Sequence, residues 1–184
     1  MGVTLRGRDA TRPDPNGSFH LIQINDLKDD GTFRTLPSQF ARIELYQPIN
    51  HQLVLRLGDV LFPNRGIRTT AVVFNGGEQK AIVGAQFFVI RPEQRDVLPE
   101  YLAWTLRTTE AARYFSSHRK GTLVQTLQRF HLDDFPVPLP SLAVQKTILE
   151  IADLERETRA LESRLANLRA SYLEQSFLNI AHRG

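Results

Sequence analysis

The sequence has no cysteine, which excludes disulfides and zinc sites built on thiolates and fits a cytoplasmic setting. Histidine is sparse. His20, His51, His118, His131 and His182 show no HxH or HExxH spacing, so no metal site is expected. Long apolar runs are also missing. The longest, residues 81–90, is broken by Gln86 and is far too short to span a bilayer, so no membrane association is expected. The N-terminal stretch carries Arg6, Arg8, Asp9 and Arg12 but no apolar segment, so no signal peptide is expected. There is no P-loop, no glycine-rich cofactor loop, no nucleophile elbow and no internal repeat. A cofactor and a catalytic residue are therefore not expected.

What is present is ordinary for a globular chain of 184 residues, with 41% hydrophobic and 23% charged side chains. Lysine is confined to Lys28, Lys80, Lys120 and Lys146, although Lys and Arg together number 23. Arginine is favoured where phosphates or guanine edges are gripped in a fork. The net charge is +3, too small by itself to indicate nucleic acid. Residues 141–184 balance Lys146, Arg156, Arg159, Arg164, Arg169 and Arg183 against Glu150, Asp153, Glu155, Glu157, Glu162 and Glu174. The excess positive charge therefore belongs to the remainder of the chain.

Residues 141–182 read as one long helix behind the hinge Pro136-Val137-Pro138-Leu139-Pro140. Its seam is Ile151, Leu154, Thr158, Leu161, Leu165, Leu168 and Tyr172. These steps of three and four give a 3.5-residue repeat, which keeps one apolar stripe facing a partner helix. A helix of about 40 residues is roughly 60 Å long. Ser141 is the expected N-cap, and Glu155 with Arg159 an i,i+4 pair. The reading is a globular head, residues 1–140, carrying a helical arm, residues 141–184.

Within the head, residues 18–24 read as a strand, Asp29-Asp30-Gly31 as a hairpin turn and residues 32–35 as the return strand. Residues 53–57 alternate weakly, and Val60-Leu61-Phe62 reads as a buried strand. Residues 69–74 form another strand, and residues 81–90 one or two more. After Pro92 the period changes. Leu98, Tyr101, Leu102 and Leu106 share a helical face, with Tyr101 and Trp104 expected in the core, and residues 109–115 form a second short helix. Strands followed by short helices imply an α+β head.

Four features in this order resemble the target-recognition domain of the DNA specificity subunit of type I restriction-modification enzymes. They are Ile22-Gln23-Ile24-Asn25-Asp26-Leu27 with Asp30-Gly31; Leu57-Gly58-Asp59-Val60-Leu61-Phe62 with Arg65-Gly66; Pro99-Glu100-Tyr101-Leu102 with Gly121; and Pro136-Val137-Pro138-Leu139-Pro140-Ser141-Leu142-Ala143-Val144-Gln145-Lys146-Thr147-Ile148. The last is similar to the family's P-L-P-P-L-x-E-Q-x-x-I, with Ser141 in place of a proline and Val144 in place of the glutamate. The resemblance implies a mixed-sheet recognition domain followed by one coiled-coil helix. A typical specificity subunit has two such units, with their helices antiparallel, so this chain resembles a half-length form. The implied partners are duplex DNA, a second copy bound through the helix, a methyltransferase subunit and a restriction subunit. Identical heads would read an interrupted palindrome.

Two loops offer groups suited to base and phosphate contact. One presents Asn64, Arg65, Arg68 and Thr69; the other presents Arg119, Lys120, Thr122, Gln125 and Arg129. Arg6, Arg8 and Arg12 are additional phosphate candidates. A nuclease reading would need Pro13-Asp14 and Glu78-Gln79-Lys80 as a metal-binding pair, but both lie in turn-like sequence. A methyltransferase reading fails because Pro13-Asp14-Pro15-Asn16 lacks the aromatic of a base pocket. Asp133 and Asp134 beside His131 resemble an acid–base cluster, but read better as flanking a strand end beside Arg129. The competing reading from another class is a protein-binding adaptor whose helix docks a partner chain.

Overall fold

The structure, a computed structural model, describes residues 14–45, 50–77, 80–93 and 95–182. Arg6, Arg8, Arg12, Pro13, Glu78 and Gln79 lie outside the described residues. Among the described residues, two three-stranded sheets precede the helices in the chain. Strand β1 (Phe19–Ile22) pairs antiparallel with β2 (Ala41–Ile43). Strands β3 (Val60–Pro63) and β4 (Val72–Val73) belong to the second sheet, whereas β5 (Ala81–Val83) runs parallel to β1. Strand β6 (Phe87–Ile90) pairs antiparallel with β3, placing Leu61 opposite Val89 and Phe62 opposite Phe88. The sheet orders are β2-β1-β5 and β4-β3-β6. The fold is mixed α+β, as the sequence led us to expect.

Side-chain alternation explains why β3 is apolar throughout. Leu61 packs with Ile22, Val83 and Phe87 between the sheets. Val60 and Phe62 point to the opposite face, onto helices α1 (Pro99–Thr105) and α2 (Thr109–His118). A strand covered on both faces has no polar side to alternate with. Phe62 and Phe115 meet at a tilt with centroids 4.9 Å apart, and Phe115 meets Phe135 at 5.0 Å. Leu21, Ile43 and Ile82 close the far face of the first sheet.

Several expected strands are diverted by side chains that capture backbone groups. The return strand over 32–35 reduces to one bridge, Leu27 with Phe33, because Asp30 accepts from the Thr32 N–H and hydroxyl at 2.9 and 2.6 Å. Residues 53–57 are not a strand. Asn50 caps a 3-10 turn, His51–Leu53, and the Asp59 carboxylate takes the Arg56 N–H at 2.8 Å. The strand expected at 69–74 shrinks to β4, since Arg107 donates to Ala71 O at 2.7 Å. Residues 81–90 divide between the two sheets. Helix α2 extends to His118, and a short helix, α3 (Arg129–Asp133), stands where no helix was expected.

The proline segment is no free hinge: it is fastened to the head. Tyr101 donates from its hydroxyl to Pro138 O at 3.0 Å, and Val137 packs on the α1–α2 core. Tyr101 is itself buried, and Trp104 stacks on it at 5.7 Å. Gln145 is fully buried. Its Oε1 accepts from Leu98 N–H at 2.9 Å, and its Nε2 donates to Asp96 O and Pro140 O at 2.7 and 2.8 Å. Ser141 Oγ stands 3.5 Å from Val144 N, a loose N-cap contact.

Helix α4 (Leu142–Ala181) has 40 residues, and the chain divides into two compact units between Gln145 and Lys146. In the second unit Arg159 pairs with Glu155 and Arg156 with Asp153. Ile151, Leu154, Leu161, Leu165, Leu168 and Tyr172 are 48–72% exposed. Among the described residues, no helix is long and apolar enough to cross a membrane.

Candidate nucleic-acid interface

The two candidate loops, far apart in sequence, form one three-segment ladder. The chain leaves β3 at Asn64, whose N–H donates to Gln86 O and whose Nδ2 donates to Ala85 O, at 2.9 and 3.0 Å. Asn64 O then accepts from Leu127 N–H at 2.8 Å, and Gln125 O accepts from Gly66 N–H at 2.9 Å. Thr126 faces Lys120 on its other side, with paired backbone bonds of 2.8 and 3.1 Å. Residues 120–126 are therefore a hairpin whose returning limb joins the 64–66 loop.

Arg119 holds this ladder together from inside. It is buried, and its guanidinium donates to Gly66 O at 2.6 Å, Arg68 O at 2.7 Å and Pro63 O at 3.3 Å. Its Nε is buried without a partner. Burial lowers its pKa from the ordinary guanidinium value. Arg68 does similar work on the next layer. It donates to Asp29 Oδ1, Leu27 O and Ile24 O, and holds the Asp29 carboxyl below its ordinary range, chiefly through that hydrogen bond. Asn64, Arg68 and Arg119 thus anchor the loops by bonds to the head, and Thr69 is half-buried. Sequence inspection treated Arg119 as part of a basic loop, but it directly follows α2 and points inward.

The remaining candidates face solvent. Arg65, Lys120, Thr122, Gln125 and Arg129 are exposed. Arg129 pairs with Asp133 at 3.3 Å, but its side chain stays 71% exposed. Such an exposed ion pair contributes little to stability. His118 and His131 lie beside this surface, their rings 4.6 Å apart. His118 Nδ1 is 2.7 Å from Tyr114 O, which assigns the proton to Nδ1. His131 has a lowered pKa, from desolvation first and then from His118 and Lys120.

Of the residues in the catalytic readings, Glu78 and Gln79 lie outside the described residues, whereas Asp14 and Asp133 are described. Asp14 closes a turn, accepting from Asn16 N–H at 2.9 Å. Asp133 is occupied by Arg129. Among the described residues, no group of three His, Cys, Asp or Glu could hold a metal ion.

A feature that sequence reasoning passed over is the buried Asp59. Its carboxylate binds Arg91 Nε and Nη2 at 2.7 and 2.6 Å, raising the Arg91 pKa. Asp59 sits after Gly58, whose φ of +86° makes the turn into β3. The Gly-Asp-Val-Leu-Phe pattern was visible, but its distant arginine partner was not.

No family model and no curated protein matches the sequence. Solved structures do. The HsdS subunit from Thermoanaerobacter tengcongensis superposes with a TM-score of 0.58 at 21% identity, over 78% of this chain and 37% of that one. A second neighbour comes from work on complex assembly and conformational transition of the type I R-M system. It gives a TM-score of 0.60 at 21% identity, over 87% of this chain and 36% of that one. The chain folds like a type I restriction-modification specificity subunit. It spans little more than a third of the length of either solved chain. The motifs quoted above have physical roles here. Asp59 pairs with Arg91, and Gln145 ties the start of α4 to residues 96–98.

Proposed function

We propose that this chain is a non-catalytic DNA-specificity half-subunit of a type I-like restriction-modification system. Residues 1–140 form the target-recognition domain, and residues 141–184 the helix through which two copies pair. The pair reads a bipartite duplex site and directs methyltransferase and restriction subunits to it in the cytoplasm. The observation that carries this reading is the ladder built from residues 64–66, 119–120 and 125–127. It places Arg65, Lys120, Thr122 and Gln125 in solvent on backbone fixed by Arg119. Donors on a rigid ladder are what base and phosphate contacts require. The fold likeness supports a head followed by a helix.

The test is selection of duplexes from a randomised pool by the full chain, followed by affinity measurements against salt. A sequence-specific duplex should be retained, with affinity falling steeply as salt rises. Arg65→Ala and Lys120→Ala should each lower the log–log salt slope by about one. Retention of no duplex even at low salt favours the adaptor reading instead.

A further inference from the structure

The tip of the 120–126 hairpin carries apolar side chains that the head does not use. Leu123 is 98% exposed and Val124 56%. The backbone beneath them is nevertheless fixed by the paired bonds between Lys120 and Thr126. Gly121 shapes the tip: its φ is +126°, and a Cβ there would lie 2.4 Å from Val124 O. A single exposed leucine is ordinary and carries no meaning alone. Leu123 differs in its setting, because Arg65, Lys120 and Gln125 are exposed on the same ladder.

A guanidinium, an amide and a branched alkyl group together match one surface of a duplex. The major groove offers guanine N7 and O6 to an arginine, adenine N6 and N7 to a glutamine, and the thymine methyl to an apolar group. The minor groove offers no methyl group, and a two-stranded ribbon fits the major groove. Resting on the reading of the head as DNA-binding, we infer that Leu123 is a specificity-determining residue that packs on the 5-methyl group of a thymine in the major groove. Each half-site therefore contains a thymine that is recognised partly through its methyl group.

The experiment uses the full chain and the duplex it selects from the randomised pool. Each thymine is replaced in turn by deoxyuridine, which removes the methyl and leaves base pairing intact. At one thymine per half-site, wild-type affinity should fall about fourfold, the value of one buried methyl-sized group. Leu123→Ala should bind the thymine and deoxyuridine duplexes equally, and Leu123→Met, close in volume, should restore discrimination. Circular dichroism and urea unfolding verify that the variants stay folded. The inference is overturned if every deoxyuridine duplex binds as tightly as its parent, if Leu123→Ala keeps full discrimination, or if the selected half-site has no thymine. Failure to retain any duplex overturns the DNA-binding reading itself, and this inference with it, so the two failures are distinct.

Discussion

Arg119 is the residue on which the ladder of residues 64–66 and 120–126 depends most directly. Its three carbonyl partners belong to Pro63, Gly66 and Arg68. A planar fork can meet several acceptors in a fixed geometry, whereas an ammonium is a compact point charge. Arg119→Lys should therefore destabilise the head by about 2 kcal/mol, seen as a lower urea midpoint with an unchanged slope. An unchanged midpoint would mean that the carbonyls are held without it. Gln145 shows the same limit on reading residues one by one. The Gln-containing motif after the prolines was visible in sequence, and the side chain was passed over. Its partners are the backbones of residues 96, 98 and 140. No spacing rule connects a glutamine to a loop nearly 50 residues earlier.

At the scale of elements, the long periodic helix was legible, and so were β1, β3 and the two short helices after Pro92, whereas the strands expected at 32–35 and 53–57 were not. Helix α4 runs within a residue of its expected limits, because its 3.5-residue pattern repeats over many turns. The strands expected at 32–35 and 53–57 failed for a local reason. Asp30, Asn50 and Asp59 accept backbone N–H groups that a ladder would need, and such side chains compete with secondary structure. The exposed seam of α4 leads to a prediction at this scale. The wild-type chain should sediment as a dimer at tens of micromolar, roughly, and Leu161→Glu with Leu165→Glu should give a monomer. Both residues are exposed in the single chain, so the substitutions leave the head's core untouched. A wild-type monomer would refute pairing through this stripe.

For the head as a whole, stability should respond to acid in two stages. The His131 pKa lies below the ordinary histidine value of 6.5, so the unfolded chain binds the proton more readily. That contribution is complete above 6.5 and is lost as pH falls through the native value. The Asp29 carboxyl lies below the ordinary aspartate value of 3.8, so its contribution persists until pH falls below 3.8. Urea midpoints measured across this range should decline first near the histidine stage, and His131→Gln should remove that decline. A flat profile between neutrality and the carboxylate range would contradict the His131 environment. The sequence by itself determined the α+β class, the long helix and the two polar loops, since composition, period and turn chemistry act over a few residues. Only the tertiary structure decided that those loops join into one ladder, that Arg119 faces inward while Arg65 faces out, and that the proline segment is pinned to the head. Those outcomes depend on contacts between residues about 37 to 63 positions apart, which exist only once the sheets and helices have packed.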